Sequence, residues 1–170
     1  MDNFYLAHPF EARKIVRAWE LLIERFFKIN LINPIYDVHG AQTLEIDNGL
    51  RTRYENVDFK KLVERELFEI QKKDTKGSFV IQPGNFFSIG AYHEMVYTHN
   101  LGKTVYSLIM NGHHEHPWVN YHSNKVFTKW HELNSFIFDN FSLREGFEKS
   151  QVLKELSNLE LINREIENAD

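Results

Sequence analysis

The stretch from Ser78 to Met110 constrains the fold more than any other part of the chain. Ser78-Phe79-Val80-Ile81 is a short apolar run of strand character. Gln82-Pro83-Gly84-Asn85-Phe86-Phe87 follows as a loop, and Ser88 then stands where a helix N-cap belongs. The helix carries Glu94 one to two turns in and stops at Asn100-Leu101-Gly102-Lys103. Thr104-Val105-Tyr106-Ser107-Leu108-Ile109-Met110 is a second apolar strand. Strand, loop, helix, strand is the βαβ unit of a parallel sheet, and open parallel sheets bind ligands beyond the carboxyl ends of their strands. Glu94 therefore falls where a ligand belongs.

The rest of the chain extends the pattern. Phe4-Tyr5-Leu6-Ala7 is the first strand, closed by His8-Pro9, with the proline suited to a first helical turn. Ile15, Val16, Trp19, Leu22, Ile23, Phe26 and Phe27 recur at helical spacing between charged residues. A second strand lies within Ile29–Tyr36, closed by Asn33-Pro34. A polar loop covers Asp37 to Asn56, and a second helix runs from about Val57 to Lys72 with Leu62, Val63, Leu67 and Ile70 inward. Past Met110, Asn111 to Pro117 reads as a loop and Lys125-Val126-Phe127-Thr128 as a fifth strand. Helices are expected over His131–Phe138 and Arg144–Ile166. The expected fold is α/β: a three-layer, Rossmann-like sandwich with an open parallel sheet of about five strands and flanking helices. Residues 1–132 form the main domain, and 133–170 a helical extension packed on it.

Composition narrows the function classes. A chain of 170 residues, 42% hydrophobic, supports a full core. The net charge of −4 with no basic block argues against binding a nucleic-acid polymer. The absence of cysteine excludes disulfides and thiolate metal sites and fits a reducing compartment. No run approaches the ~18 apolar residues of a membrane span, and the opening residues lack the basic and apolar regions of a signal peptide. A cytoplasmic protein with no membrane partner is expected.

Three places then point the same way: Tyr5-Leu6-Ala7-His8-Pro9-Phe10, the end of the second helix from Glu66 to Asp74, and Ser88 to Glu94 with Gly102-Lys103-Thr104-Val105. In order and spacing they resemble the nucleoside 2-deoxyribosyltransferase superfamily, including its relatives that hydrolyse nucleoside 5′-monophosphates. Those proteins share a first strand like Tyr-Leu-Ala-Gly-Pro and a Gly-x-x-x-Glu helix start, matched here by Gly90 and Glu94. The resemblance covers roughly Phe4 to Met110 and leaves out the tail from Leu133.

The resemblance implies an N-glycosidic chemistry without cofactor. Glu94 would attack the anomeric carbon, displace the base and form a glycosyl-enzyme intermediate, later released to water or a second base. A carboxylate suits an oxocarbenium-like transition state because it both stabilises and captures it. Tyr5 matches the tyrosine that holds the nucleophile, although a core aromatic fits that strand position equally. Glu66 falls where many family members carry an aspartate near base or sugar; a solvated helix glutamate is the plain alternative. Ala7, His8, Gly90, Ser88 and Asn111 would contact the substrate. His8 replaces the family's usual glycine and would either meet phosphate or fill space. Ser88 stands six residues before the glutamate, where the transferases carry aspartate and the monophosphate hydrolases serine. A serine at a helix start accepts an anion that aspartate would repel, and it is also an ordinary N-cap.

Two further features bear on partners. His113-His114-Glu115-His116 lacks a second set of ligands at recognisable spacing, so no metal is expected there. The loop after the fourth strand would reach the phosphate or a neighbouring subunit, because family sites are completed across a dimer interface. Trp118 and Tyr121 suit such an interface and would equally suit a core. Arg51 or Arg53, in the long loop, would meet a phosphate or simply face solvent. The expected activity is cleavage of a nucleoside or nucleoside 5′-monophosphate by a homodimer or higher homo-oligomer. Base exchange between free deoxynucleosides is the nearest alternative, and a non-catalytic nucleotide-binding module is the alternative from another class.

Overall fold

The computed structural model describes residues 1–38 and 58–167. The expected loop from Asp37 to Asn56 lies almost wholly outside the described residues, as do Arg51 and Arg53. Among the described residues, five strands form one parallel sheet: β1 (Asp2–Ala7), β2 (Ile29–Ile32), β3 (Thr75–Gln82), β4 (Thr104–Ile109) and β5 (Lys125–Phe127). Their spatial order is β2-β1-β3-β4-β5. The helices are α1 (Arg13–Phe26), α2 (Phe59–Gln71), α3 (Ile89–Asn100), α4 (Pro117–His122), α5 (Trp130–Asn140) and α6 (Lys149–Glu167). This is the expected three-layer α/β architecture.

Strand alternation divides the core into two layers. On β1, Phe4 and Leu6 face the layer containing α1 residues Val16, Trp19 and Ile23, and α5 residues Leu133 and Ile137. Tyr5 and Ala7 face the other layer, with Ile70 of α2, Ala91 and Met95 of α3, and Val119 of α4. Fully burying a side chain such as Phe79 in the first layer or Val80 in the second contributes about 1.5–3 kcal/mol each, so both layers are substantial. Gly77 permits a close approach of β3 to β4: a Cβ there would stand 1.9 Å from the Thr104 carbonyl oxygen.

The chain after β1 leaves to the α1 side, and the chain after β3 leaves to the α3 side. β1 and β3 are neighbours, so their carboxyl ends form the topological switch point at which open sheets hold ligands.

Several local expectations need correction. Pro9 heads a pair of tight turns, with the Ala12 and Arg13 amides donating to the carbonyls of Pro9 and Phe10, and regular helix begins only at Arg13. After Ile32 the chain makes a π-helical turn, Pro34–Val38. Val63 is 44% exposed; the inward stripe of α2 runs instead through Leu62, Glu66, Leu67 and Ile70. Pro117 opens α4 rather than continuing a loop: it takes the first helical position, and His116 Nδ1 caps the Trp118 amide at 3.3 Å. The last helix starts at Lys149, not Arg144, because Gly146 at φ +86° breaks any earlier helical path. The segment from Leu133 onward packs into the β1 core through Leu133, Ile137, Val152 and Leu156. Arg144 Nε stitches it to the carbonyls of Glu24 and Phe27, both at 2.9 Å.

Candidate active site

Tyr5 and Glu94 meet at the switch point. β1 directs Tyr5 toward α3, and the inner face of α3, which buries Ala91, Met95 and Thr98, also carries Glu94. The Tyr5 hydroxyl donates to Glu94 Oε1 at 2.5 Å. Tyr5 is fully buried and Glu94 is 7% exposed. Burial, and then the charge of Glu66, hold the Glu94 carboxyl well above its ordinary range, while the Tyr5 hydrogen bond works the other way. Burial and the carboxylates of Glu94 and Glu66 likewise raise the Tyr5 phenol well above its ordinary value, so Tyr5 remains the donor.

Glu66 approaches from α2. It lies four residues from both Leu62 and Ile70, on the stripe that turns toward the sheet, and it is half-buried. Its charge acts on both Tyr5 and Glu94. A buried carboxylate oriented by a phenol, with a second carboxylate nearby, has the parts of a nucleophile or general base beside a proton-handling partner.

The start of α3 adds a second feature. Ser88 is the N-cap, its Oγ accepting from the Ala91 amide at 3.2 Å. The Ser88 amide itself donates to Gln82 Oε1 at 3.2 Å. That leaves the amides of Ile89 and Gly90, against which no acceptor among the described residues stands. Both residues are exposed, and the nearest atom to a Cβ built on Gly90 is Ser88 Oγ at 3.6 Å. Two outward amides at a helix start attract an anion.

The remaining expected residues sit around this centre with other partners. Ala7 is buried at the end of β1. His8 is 7% exposed, with Nδ1 2.9 Å from the Pro9 carbonyl oxygen and Nε2 3.2 Å from Asn33 Oδ1. Burial pushes its imidazole below the ordinary value, against those two contacts. Both ring nitrogens therefore face protein oxygens. Asn33 in turn donates to Glu20 Oε2 at 2.6 Å, and Glu20 also pairs with Arg17. Asn111 donates from Nδ2 to the Phe86 carbonyl at 3.0 Å, so its amide holds the loop between β3 and α3. Gln82 went unrecognised among candidate residues. The signal lay in strand phase: Ser78, Val80 and Gln82 share the Tyr5 side of β3, which makes Gln82 a polar residue on a buried face.

Among the described residues, no group of three or more His, Asp or Glu side chains is arranged to hold a metal ion. His113–Glu115 forms a single 3₁₀ turn. Trp118 and Tyr121 are 63% and 73% exposed, which removes the core alternative for both. With Pro117 and His122 they line a groove of about 380 Å³. A larger groove, about 520 Å³, runs along α2 between Asp37, Lys61, Arg65 and Phe68. Among the described residues, no helix is long and apolar enough to cross a membrane. Compared with known proteins, the chain matches no family model and no curated protein sequence.

Proposed function

We propose that this protein cleaves the N-glycosidic bond of a nucleoside 5′-monophosphate, with Glu94 as nucleophile. The observation that carries the reading is the buried Tyr5–Glu94 hydrogen bond at the β1/β3 switch point. It favours catalysis over a binding module that merely kept a pocket, since a carboxylate buried without purpose costs several kcal/mol. The resemblance of the Tyr5, Gly90 and Glu94 motifs to nucleoside 2-deoxyribosyltransferases and their hydrolase relatives supports the same reading.

In the first step the Glu94 carboxylate forms a bond to the anomeric carbon as the bond from that carbon to the base nitrogen breaks. The base departs with the electron pair of that bond and takes a proton from solvent. In the second step water attacks the same carbon, Glu66 takes the proton from water, and Glu94 leaves as carboxylate. The Tyr5 hydroxyl keeps Glu94 oriented throughout. The 5′-phosphate faces the Ile89 and Gly90 amides, next to the neutral Ser88. Two copies of the chain, joined through the exposed surface of Trp118 and Tyr121, complete the sites. The direct assay is release of free base from a panel of nucleosides and their 5′-monophosphates, followed by chromatography. Preference for a monophosphate with water as acceptor supports the reading. A requirement for an acceptor base, with preference for free nucleosides, would make the protein a transferase instead.

A further inference from the structure

Gln82 ends β3 with its side chain fully buried, beside the carboxyl end of β1. Both polar atoms of its side-chain amide address Ser88: Oε1 accepts from the Ser88 amide at 3.2 Å, and Nε2 points at the Ser88 carbonyl at 3.5 Å. The Gln82 backbone carbonyl meanwhile accepts from the Met110 amide at 2.9 Å and stays fixed to the end of β4. The five-residue loop between them is held at its base. Within it the Phe86 amide donates to the Pro83 carbonyl, a turn that Gly84 permits at φ +53°.

We infer that Gln82 is a positioning residue that ties the first turn of α3 to the end of β3 and so sets Glu94 against Tyr5. Ser88 is the residue at which α3 leaves the loop, so a fixed Ser88 fixes the height of the helix over the sheet. Glu94 lies less than two turns further on and inherits that height. The same contact uses the Ser88 amide and leaves the next two free to face an anion. Gln82 touches no reacting atom; it acts through α3. Its kinetic role rests on the activity proposed above, whereas its mechanical role does not.

Gln82→Met keeps length and bulk but removes both contacts, and Gln82→Glu restores an acceptor for the Ser88 amide. Hydrogen exchange of the peptide spanning Ser88–Glu94 should quicken by about tenfold or more in Gln82→Met, with the β3 peptide unchanged, and slow again in Gln82→Glu. For base release, kcat should fall by about tenfold or more in Gln82→Met. Calorimetric affinity for the nucleoside monophosphate, measured on a Glu94→Ala background, should weaken as well, because the Ile89 and Gly90 amides ride on the same turn. Unchanged exchange at the start of α3 would overturn the inference whatever the activity. So would a normal kcat in an active Gln82→Met protein. A wild-type protein that releases no base would overturn the glycosidase reading alone, and exchange would still decide the role of Gln82.

Discussion

The Tyr5 hydroxyl donates to Glu94 Oε1 at 2.5 Å across 89 positions of sequence, and both side chains are buried. This bond favours the carboxylate form, while burial and Glu66 oppose it. Tyr5→Phe removes the one favourable contribution. The acid limb of kcat/KM for base release should already lie above the ordinary carboxylate range in the wild type. In Tyr5→Phe it should move further up, by roughly 1–2 pH units if a hydrogen bond to a charged group is worth about 1.5–3 kcal/mol. A pH–rate profile checks this. A limb that does not move would mean that Tyr5 does not tune Glu94.

Ser88→Asp separates capping from charge. Aspartate caps a helix as well as serine, so thermal stability should change little. A carboxylate about 4 Å from a phosphate charge is repelled by roughly 4 kcal/mol at an effective dielectric of about 20, before screening. Activity on a monophosphate should fall by at least about tenfold, and activity on the corresponding nucleoside much less. The comparison of kcat/KM for one base in both forms checks it. Equal losses would leave Ser88 as a cap and nothing more.

Glu20 carries a pH signature unrelated to catalysis. It is fully buried, contacts Asn33 and Arg17, and burial raises its carboxyl to about 7. The unfolded chain loses this proton near the ordinary value of 4.5, while the folded chain holds it to about 7. The folded state therefore binds more protons between those values, and Glu20 makes stability fall as pH rises through them. The loss is roughly 3 kcal/mol at most. Urea unfolding at pH 5 and pH 8 should show this fall in the wild type and a flatter dependence in Glu20→Gln, which still offers Asn33 an acceptor. The same slope in both proteins would contradict the account.

The fold was legible where hydrophobic runs were unambiguous. β1, β3 and β4 are apolar stretches between turn signals, and Ser88 announces the cap it makes. The pairing of Tyr5 with Glu94 was legible only through motif order, because no local pattern shows a contact across the sheet. α4 escaped detection because six residues, Pro117 to His122, are too few to show a readable period. Glu66 was ambiguous for a similar reason. A charged residue on an apolar helical stripe looks solvated until the facing layer is known. Gln82 was hidden because a side chain that bonds to backbone six residues away leaves no trace in composition.

The exposed aromatic surface of α4 bears on assembly. His122 stacks with Trp118 at 5.3 Å and packs against Tyr121 and His99, so the patch is one contiguous set of rings. Light scattering at assay concentration should give at least twice the chain mass of 20.3 kDa. Trp118→Ala with Tyr121→Ala should shift the protein toward monomer and lower base release in parallel. A fully active monomer of wild-type protein would contradict a shared site.

If Glu94 performs the chemistry, Glu94→Ala should fold normally and lose release of base. The variant should retain the wild-type circular dichroism spectrum and a cooperative thermal transition, since removing an acidic group buried above its ordinary pKa relieves a desolvation cost. Its base release from a nucleoside 5′-monophosphate should drop by several powers of ten, roughly to the uncatalysed rate. Near-normal turnover by a folded Glu94→Ala protein would mean that Glu94 is not the nucleophile.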